Sequence, residues 1–167
     1  MVGLLSFLNY RSIGIHRILS ADTRIGQRAE SSDGELSTDP QELLDEANRL
    51  FIHAGFCSMH GPSHEHFASN CYWDRTLWET ALGLDNRIGE ESIFYPKRLR
   101  LFQEIYIGHT PTTNYDVEEP MHAYNVWNID TGAAFCGRLT ALNIDTKEFW
   151  QSDFVQQLYP DEKGRNK

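Results

Sequence analysis

The sequence predicts a mixed α/β or α+β domain, and three observations carry that expectation. Short apolar runs of strand length, at 50–52 (LFI), 105–107 (IYI) and 123–129 (AYNVWNI), are interspersed with stretches of helical period. Apolar residues make up 40% of the 167 residues and aromatic residues 12%, enough to supply a core. A mass of 19.3 kDa suits one ordinary domain better than two.

Taken in chain order, residues 1–40 form an unmatched leader, expected to be poorly ordered or non-native. Isolated apolar residues are scattered there among Arg, Ser, Asp and Gly. Ile13, Ile15, Ile18 and Leu19 suit a short helix or strand, and 29–40 are polar turn formers that read as a loop. Asp39-Pro40 offers an N-cap followed by proline at the first helical position, which predicts a helix over 41–47. Residues 50–52 follow as a buried strand. Trp73, Leu77, Ala81 and Leu84 fall at helical steps, predicting one amphipathic helix over 72–84, with Asp74, Arg75 and Glu79 away from the apolar stripe. Pro96 introduces a second helix over 97–103, with Leu99 and Phe102 inward. Strands are expected at 105–107, 123–129 and 138–144. The main domain therefore spans 41–160, and 161–167 (DEKGRNK) reads as a solvated tail.

Charge and cysteine usage narrow the function classes. The formal net charge of −9 opposes broad binding to DNA or to anionic membranes, both of which need a positive field. No apolar run reaches the roughly 20 residues of a membrane helix, and the opening MVGLLSFLNY lacks the basic start of a signal peptide. Cys57, Cys71 and Cys136 are an odd number without metal-ligand spacing, which suits reduced thiols in a cytoplasmic protein.

Three strand-like runs end alike. LFI leads into His53-Ala54-Gly55, IYI into Gly108-His109-Thr110-Pro111, and NVWNI into Asp130-Thr131-Gly132. Each sets a metal-capable or charged side chain where a strand gives way to a small-residue turn, and in α/β sheets sites collect at those carboxyl ends. Each also has a plainer reading. A histidine after a strand is more often a hydrogen-bonded structural residue, and Asp before Thr-Gly is more often a turn former. Arg75 on a polar helix face is ordinarily a solvated charge. His60, His64 and His66 in HGPSHEH could bind metal, but a mobile polar loop is the favoured account of that stretch.

LFIHAGF (50–56), WDRTLW (73–78), IYIGHTPT (105–112) and NIDTGAAFCGRLTAL (128–142) occur in the order and character of one family. Across about 44–167 the chain resembles the C-terminal half of a calcineurin-like metallophosphoesterase, of the bacterial, lambda-phage type of serine/threonine protein phosphatase. The resemblance implies half of a β-sandwich flanked by helices. It implies that His53 (HAG) and His109 (GHTP) ligate the second of two metal ions, and that Arg75 (W-x-R) binds the substrate phosphate. It gives Asp130 no firm catalytic role. Mn, Fe or Zn would suit the histidines. In such enzymes two ions roughly 3.5–4 Å apart clamp the phosphate and lower the pKa of a bridging water. A guanidinium offers the paired donors that phosphate geometry favours. The implied substrate is a phosphorylated protein or a small phosphoester.

The family's first-half motifs, Asp-x-His, Gly-Asp-x-x-Asp and Gly-Asn-His, do not occur in the sequence. These supply the first metal site, the bridging aspartate, an asparagine ligand and the general-acid histidine. The expectation is therefore at most one weakly held divalent ion, and little activity from the chain alone. A truncated or frameshifted reading frame would explain the pattern. So would a non-catalytic interaction module that associates with itself or with a chain supplying the first half. A third reading, a mononuclear site of His53, His109 and Asp130, carries little weight because the resemblance does not mark the aspartate as a ligand.

Overall fold

The computed structural model describes residues 4–5 and 43–161. Its strands are β1 (Leu4–Leu5), β2 (Leu43–Leu44), β3 (Arg49–Phe51), β4 (Glu104–Ile107), β5 (Met121–Ala123), β6 (Val126–Asn128), β7 (Arg138–Asn143) and β8 (Phe149–Phe154). The helices are short: α1 (Asn70–Trp73), α2 (Thr76–Gly83), α3 (Lys97–Arg100) and α4 (Val155–Leu158). The mixed α/β class follows directly.

Two sheets form. The larger runs β2-β3-β4-β6-β5, with β3, β4 and β6 parallel and the two edge strands antiparallel to their neighbours. The smaller, β1-β7-β8, is antiparallel. The larger sheet is covered on both faces. On one face Leu50, Ile52, Ile105, Ile107 and Val126 pack with Leu77, Trp78 and Ala81 of α2 and Leu99 of α3. On the other, Phe51 and Tyr106 pack with Ile129, with Leu142 of β7 and with Ile144 just after it. Burial on both faces explains why LFI and IYI read as unbroken apolar runs rather than alternating ones.

Several sequence expectations need correction. The helix over 41–47 is instead, within the described residues, strand β2 and a tight turn. Asp45 accepts from the Ala47 and Arg49 N–H groups, and Asn48 takes the left-handed φ of 57° that returns the chain to β3. The helix over 72–84 is two helices, for a reason developed below. The helix over 97–103 ends at Arg100. Leu99 is buried and Phe102 packs against the core, as its pattern predicts. The strand over 123–129 is a hairpin, β5 and β6, turned at Tyr124 (φ 55°) and Asn125. Asn125 Nδ2 donates to the Leu99 and Phe102 carbonyls at 2.7 and 2.9 Å, anchoring the turn to α3 and the loop after it. Leu4–Leu5, within the supposed leader, pairs with β7. The calls on 6–40 and on 162–167 lie outside the described residues. No disulfide joins the three cysteines. Among the described residues no helix is long and apolar enough to cross a membrane.

A polar knot ties the two sheets at the amino end of β4. Lys147, in the left-handed turn between β7 and β8 (φ 64°), reaches Glu104 Oε1 at 2.6 Å, the Tyr106 hydroxyl and the Ile144 carbonyl. Burial first, and the Glu104 carboxylate second, push the Tyr106 hydroxyl above its ordinary range. Removing one member of such a half-buried set leaves its partners unsatisfied. Lys147→Ala is expected to lower stability by about 1–3 kcal/mol in urea unfolding, and a loss within error of zero would show the knot to be ornamental.

Candidate functional site

The parallel pairing of β3 with β4 continues past both strands. The Ile52 N–H donates to the Tyr106 carbonyl at 3.0 Å, and the Gly108 N–H donates to the His53 carbonyl at 2.9 Å. The ladder thereby carries His53 and His109 side by side off the carboxyl ends of neighbouring strands. Their ring centroids stand 5.2 Å apart, tilted by 58°. Two imidazoles on one tetrahedral ion, each with a metal–nitrogen bond of about 2 Å, would have centroids about 5 Å apart.

His109 is held in an uncommon backbone state. Its φ is 67°, and the Thr110 N–H donates back to the Gly108 carbonyl at 2.7 Å, closing a three-residue turn around it. Left-handed turns of this tightness cost of order 1–3 kcal/mol at a non-glycine residue and persist only where the surroundings enforce them. Asn128, fully buried at the end of β6, does so by donating from Nδ2 to the Thr110 carbonyl at 2.8 Å. The Thr112 N–H donates to the Asp130 carbonyl at 2.8 Å. Three adjacent strands thus determine one histidine's orientation.

The W-x-R segment lies against this pair. The Trp73 ring stands 5.3 Å from His109 and nearly perpendicular to it, and the Tyr72 ring 6.3 Å from His53. Trp73 is expected on the buried stripe of a continuous helix, yet it is 69% exposed. Asp74 is the reason. Expected on the polar face, it is buried, and its carboxylate accepts from the Thr76 N–H at 3.0 Å, the Thr76 hydroxyl at 2.7 Å and the Leu77 N–H at 3.1 Å. These are N-cap bonds, so α2 starts afresh at Thr76 and α1 stops at Trp73. Asp74 itself is extended, with ψ 132°. An inward extended residue sends its two neighbours the other way, which exposes both Trp73 and Arg75. Arg75 forms no ion pair among the described residues.

Two further contacts complete the Asp74 environment. The Cys57 thiol donates to it at 3.3 Å, and Arg98 Nη1 lies 3.9 Å away. Burial, followed by the Asp74 hydrogen bond and charge, raises the Cys57 pKa, which disfavours its thiolate and a nucleophilic role. Gly55 of the HAG motif faces the same carboxylate. A Cβ built there would sit 2.6 Å from Asp74 Oδ2 and 3.1 Å from Leu77 Cβ, so the position requires glycine for space.

The other candidates have local partners of their own. Asp130 Oδ1 accepts from the Gly132 N–H at 3.0 Å, the turn-forming bond of its plainer reading. His60 and His64 have rings 6.0 Å apart in the exposed loop. That loop is pinned by Glu65, which accepts from the Cys57 and Ser58 N–H groups and from Asn70 Nδ2. Among the described residues no three His, Cys, Asp or Glu side chains group to hold a metal ion, so the triad of His53, His109 and Asp130 is not formed. The rings of His53 and His109 are the two metal-capable side chains that the parallel ladder brings side by side. Sequence reasoning overlooked Asp74, Asn128 and Glu65. For Asp74 a signal was present, an N-cap residue directly before the apolar period of α2.

Comparisons with models of known protein families and with curated proteins find no match for this chain.

Loss of the buried carboxylate leaves two N–H groups, the Thr76 hydroxyl and the Cys57 thiol without their acceptor, and Arg98 without its nearby counter-charge. Asp74→Ala is therefore expected to destabilise the fold by about 2–3 kcal/mol in chemical denaturation. A change below about 0.5 kcal/mol, the usual size for a surface substitution, would deny Asp74 its organising role.

Proposed function

We propose that the chain is a serine/threonine-phosphatase-like metallophosphoesterase in which His53 and His109 hold one divalent ion and Arg75 binds the phosphate. The observation that carries this reading is the pairing of the two histidines off adjacent parallel strands at a spacing that suits a shared ion. The four ordered motifs support it, as does an exposed guanidinium two residues from the ring that packs on His109. On this reading the fold is the C-terminal half of the family's two-sheet architecture, and Mn, Fe or Zn is the ion.

The roles of the chain's own residues follow from chemistry. His53 and His109 supply two neutral nitrogen ligands, leaving the other coordination positions to water or to phosphate oxygen. Arg75 offers parallel N–H donors to two phosphate oxygens. The resident ion would supply Lewis-acid stabilisation of the phosphoryl oxygens. The motifs that supply the family's bridging aspartate and general-acid histidine do not occur in the sequence, and no hydrolytic step is assigned to this chain alone. Phosphorylated proteins or small phosphoesters are the ligands the reading implies. Self-association, or a chain carrying the first-site motifs, is the partner it implies.

A second reading, a non-catalytic module with one weak ion site, rests on the lack of the family's first-half motifs in the sequence. Calorimetry with Mn(II) tests the site that both readings share. One weak equivalent is expected, lost in both His53→Ala and His109→Ala. Two tight equivalents, or binding unaffected by these changes, would contradict it. Hydrolysis of p-nitrophenyl phosphate with Mn(II) present should be negligible, and Arg75→Ala should leave that background unchanged. Robust turnover that disappears with Arg75 would instead make this chain a complete enzyme.

A further inference from the structure

Resting on the phosphoester reading above, we propose that Trp73 is an aromatic subsite, and that the site prefers a phosphate monoester whose organic group carries a planar ring. Three observations lead there. First, Trp73 is 69% exposed although Cys71 and Asp74, on either side of it in the sequence, are buried. The exposure is enforced, because the Asp74 cap ends α1 and turns the indole outward rather than letting it join the core. Second, the indole stands 5.3 Å from His109 and nearly perpendicular to it, so contact with the histidine does not stack the two rings face to face. Third, the extended Asp74 between them sends Arg75 outward with Trp73, and the guanidinium forms no ion pair among the described residues. One turn of chain therefore presents a cation for a phosphate and an aromatic plate for whatever the phosphate is attached to. Tyr72, 6.3 Å from His53, adds a second ring at the same margin.

Stacking of a planar ring on an aromatic side chain is tolerant of ring identity, because every such ring has a π face. The shared chemistry is thus a phosphate linked to an aromatic ring, whether a phenol or a nucleoside supplies it. A phosphoserine side chain, with nothing to stack, would engage Arg75 and the histidine pair alone.

Isothermal titration of the full chain with phenyl phosphate, AMP, phosphoserine and inorganic phosphate tests this. The two ring-bearing ligands should bind about tenfold more tightly than the other two. Which of the two binds better identifies the source of the ring. Trp73→Leu should erase that advantage while leaving phosphoserine and inorganic phosphate unchanged, and Trp73→Phe should restore most of it. Arg75→Gln should weaken all four ligands alike. Equal affinity for all four in the wild type, or an advantage that survives Trp73→Leu, would overturn the aromatic subsite while leaving the phosphate reading intact. Failure of every ligand to bind would overturn both.

Discussion

A single buried carboxylate, Asp74, organises the site. It accepts two backbone N–H groups, a hydroxyl and a thiol, and faces the Arg98 guanidinium at 3.9 Å. A carboxylate out of water is costly unless so satisfied, and breaking such a set is costlier still. The arrangement couples pieces distant in sequence. Arg98 on α3 also donates to the Phe56 carbonyl at 2.7 Å and to the Thr80 hydroxyl at 2.9 Å, drawing α3, α2 and the HAG loop together. Gly55 leaves the space into which the carboxylate fits. The W-x-R and HAG motifs are therefore one structural unit, and the rings beside His53 and His109 depend on it.

The opposite ends of the larger sheet are built on different principles. At the amino end of β4, charges are paired: Lys147 with Glu104, and Arg49 with both Asp45 and Asp145 at 2.6 and 2.7 Å. At the carboxyl end, the strained His109 meets the exposed Trp73, and Arg75, two residues further along the chain, forms no ion pair among the described residues. A sheet with its polar groups satisfied at one end and its reactive groups presented at the other resembles the arrangement by which α/β proteins set ligands outside the carboxyl ends of parallel strands. The strain at His109 has the same logic, being tolerated because β3, β4 and the end of β6 together fix its turn.

The larger sheet's centre was readable because both its faces are buried. Runs such as LFI and IYI suit an interior strand, whereas in β7 the buried residues include the polar Thr140 and Asn143 beside Leu142, which no apolar pattern announces. Strand β8 escaped notice because none of its residues is buried and its aromatic residues, Phe149, Trp150 and Phe154, do not alternate. β2 was obscured by Asp39-Pro40, a helix-start signal that the pairing of Leu44 with Leu50 overrides. The break between α1 and α2 was misread because Trp73 extends the period of Leu77 and Ala81, so periodicity outvoted the cap. The juxtaposition of His53 and His109 was implied by two strands ending alike. Their spacing depends on a register that sequence does not carry. The role of Asn128 was hidden for a similar reason, since a buried asparagine within a strand is legible only once the carbonyl it serves is in place.

On the proposed reading, two carboxyl-terminal turns, with Asp74 as their buttress, present His53 and His109 as one ion-binding pair. Side-chain NMR of the histidines during addition of Mn(II), whose paramagnetism broadens nearby nuclei, tests it most directly. The His53 and His109 ring signals should broaden together at substoichiometric metal, while those of His60, His64, His66 and His122 persist. Broadening that begins in the 60–66 loop, or that reaches only one of the two site histidines, would contradict the account.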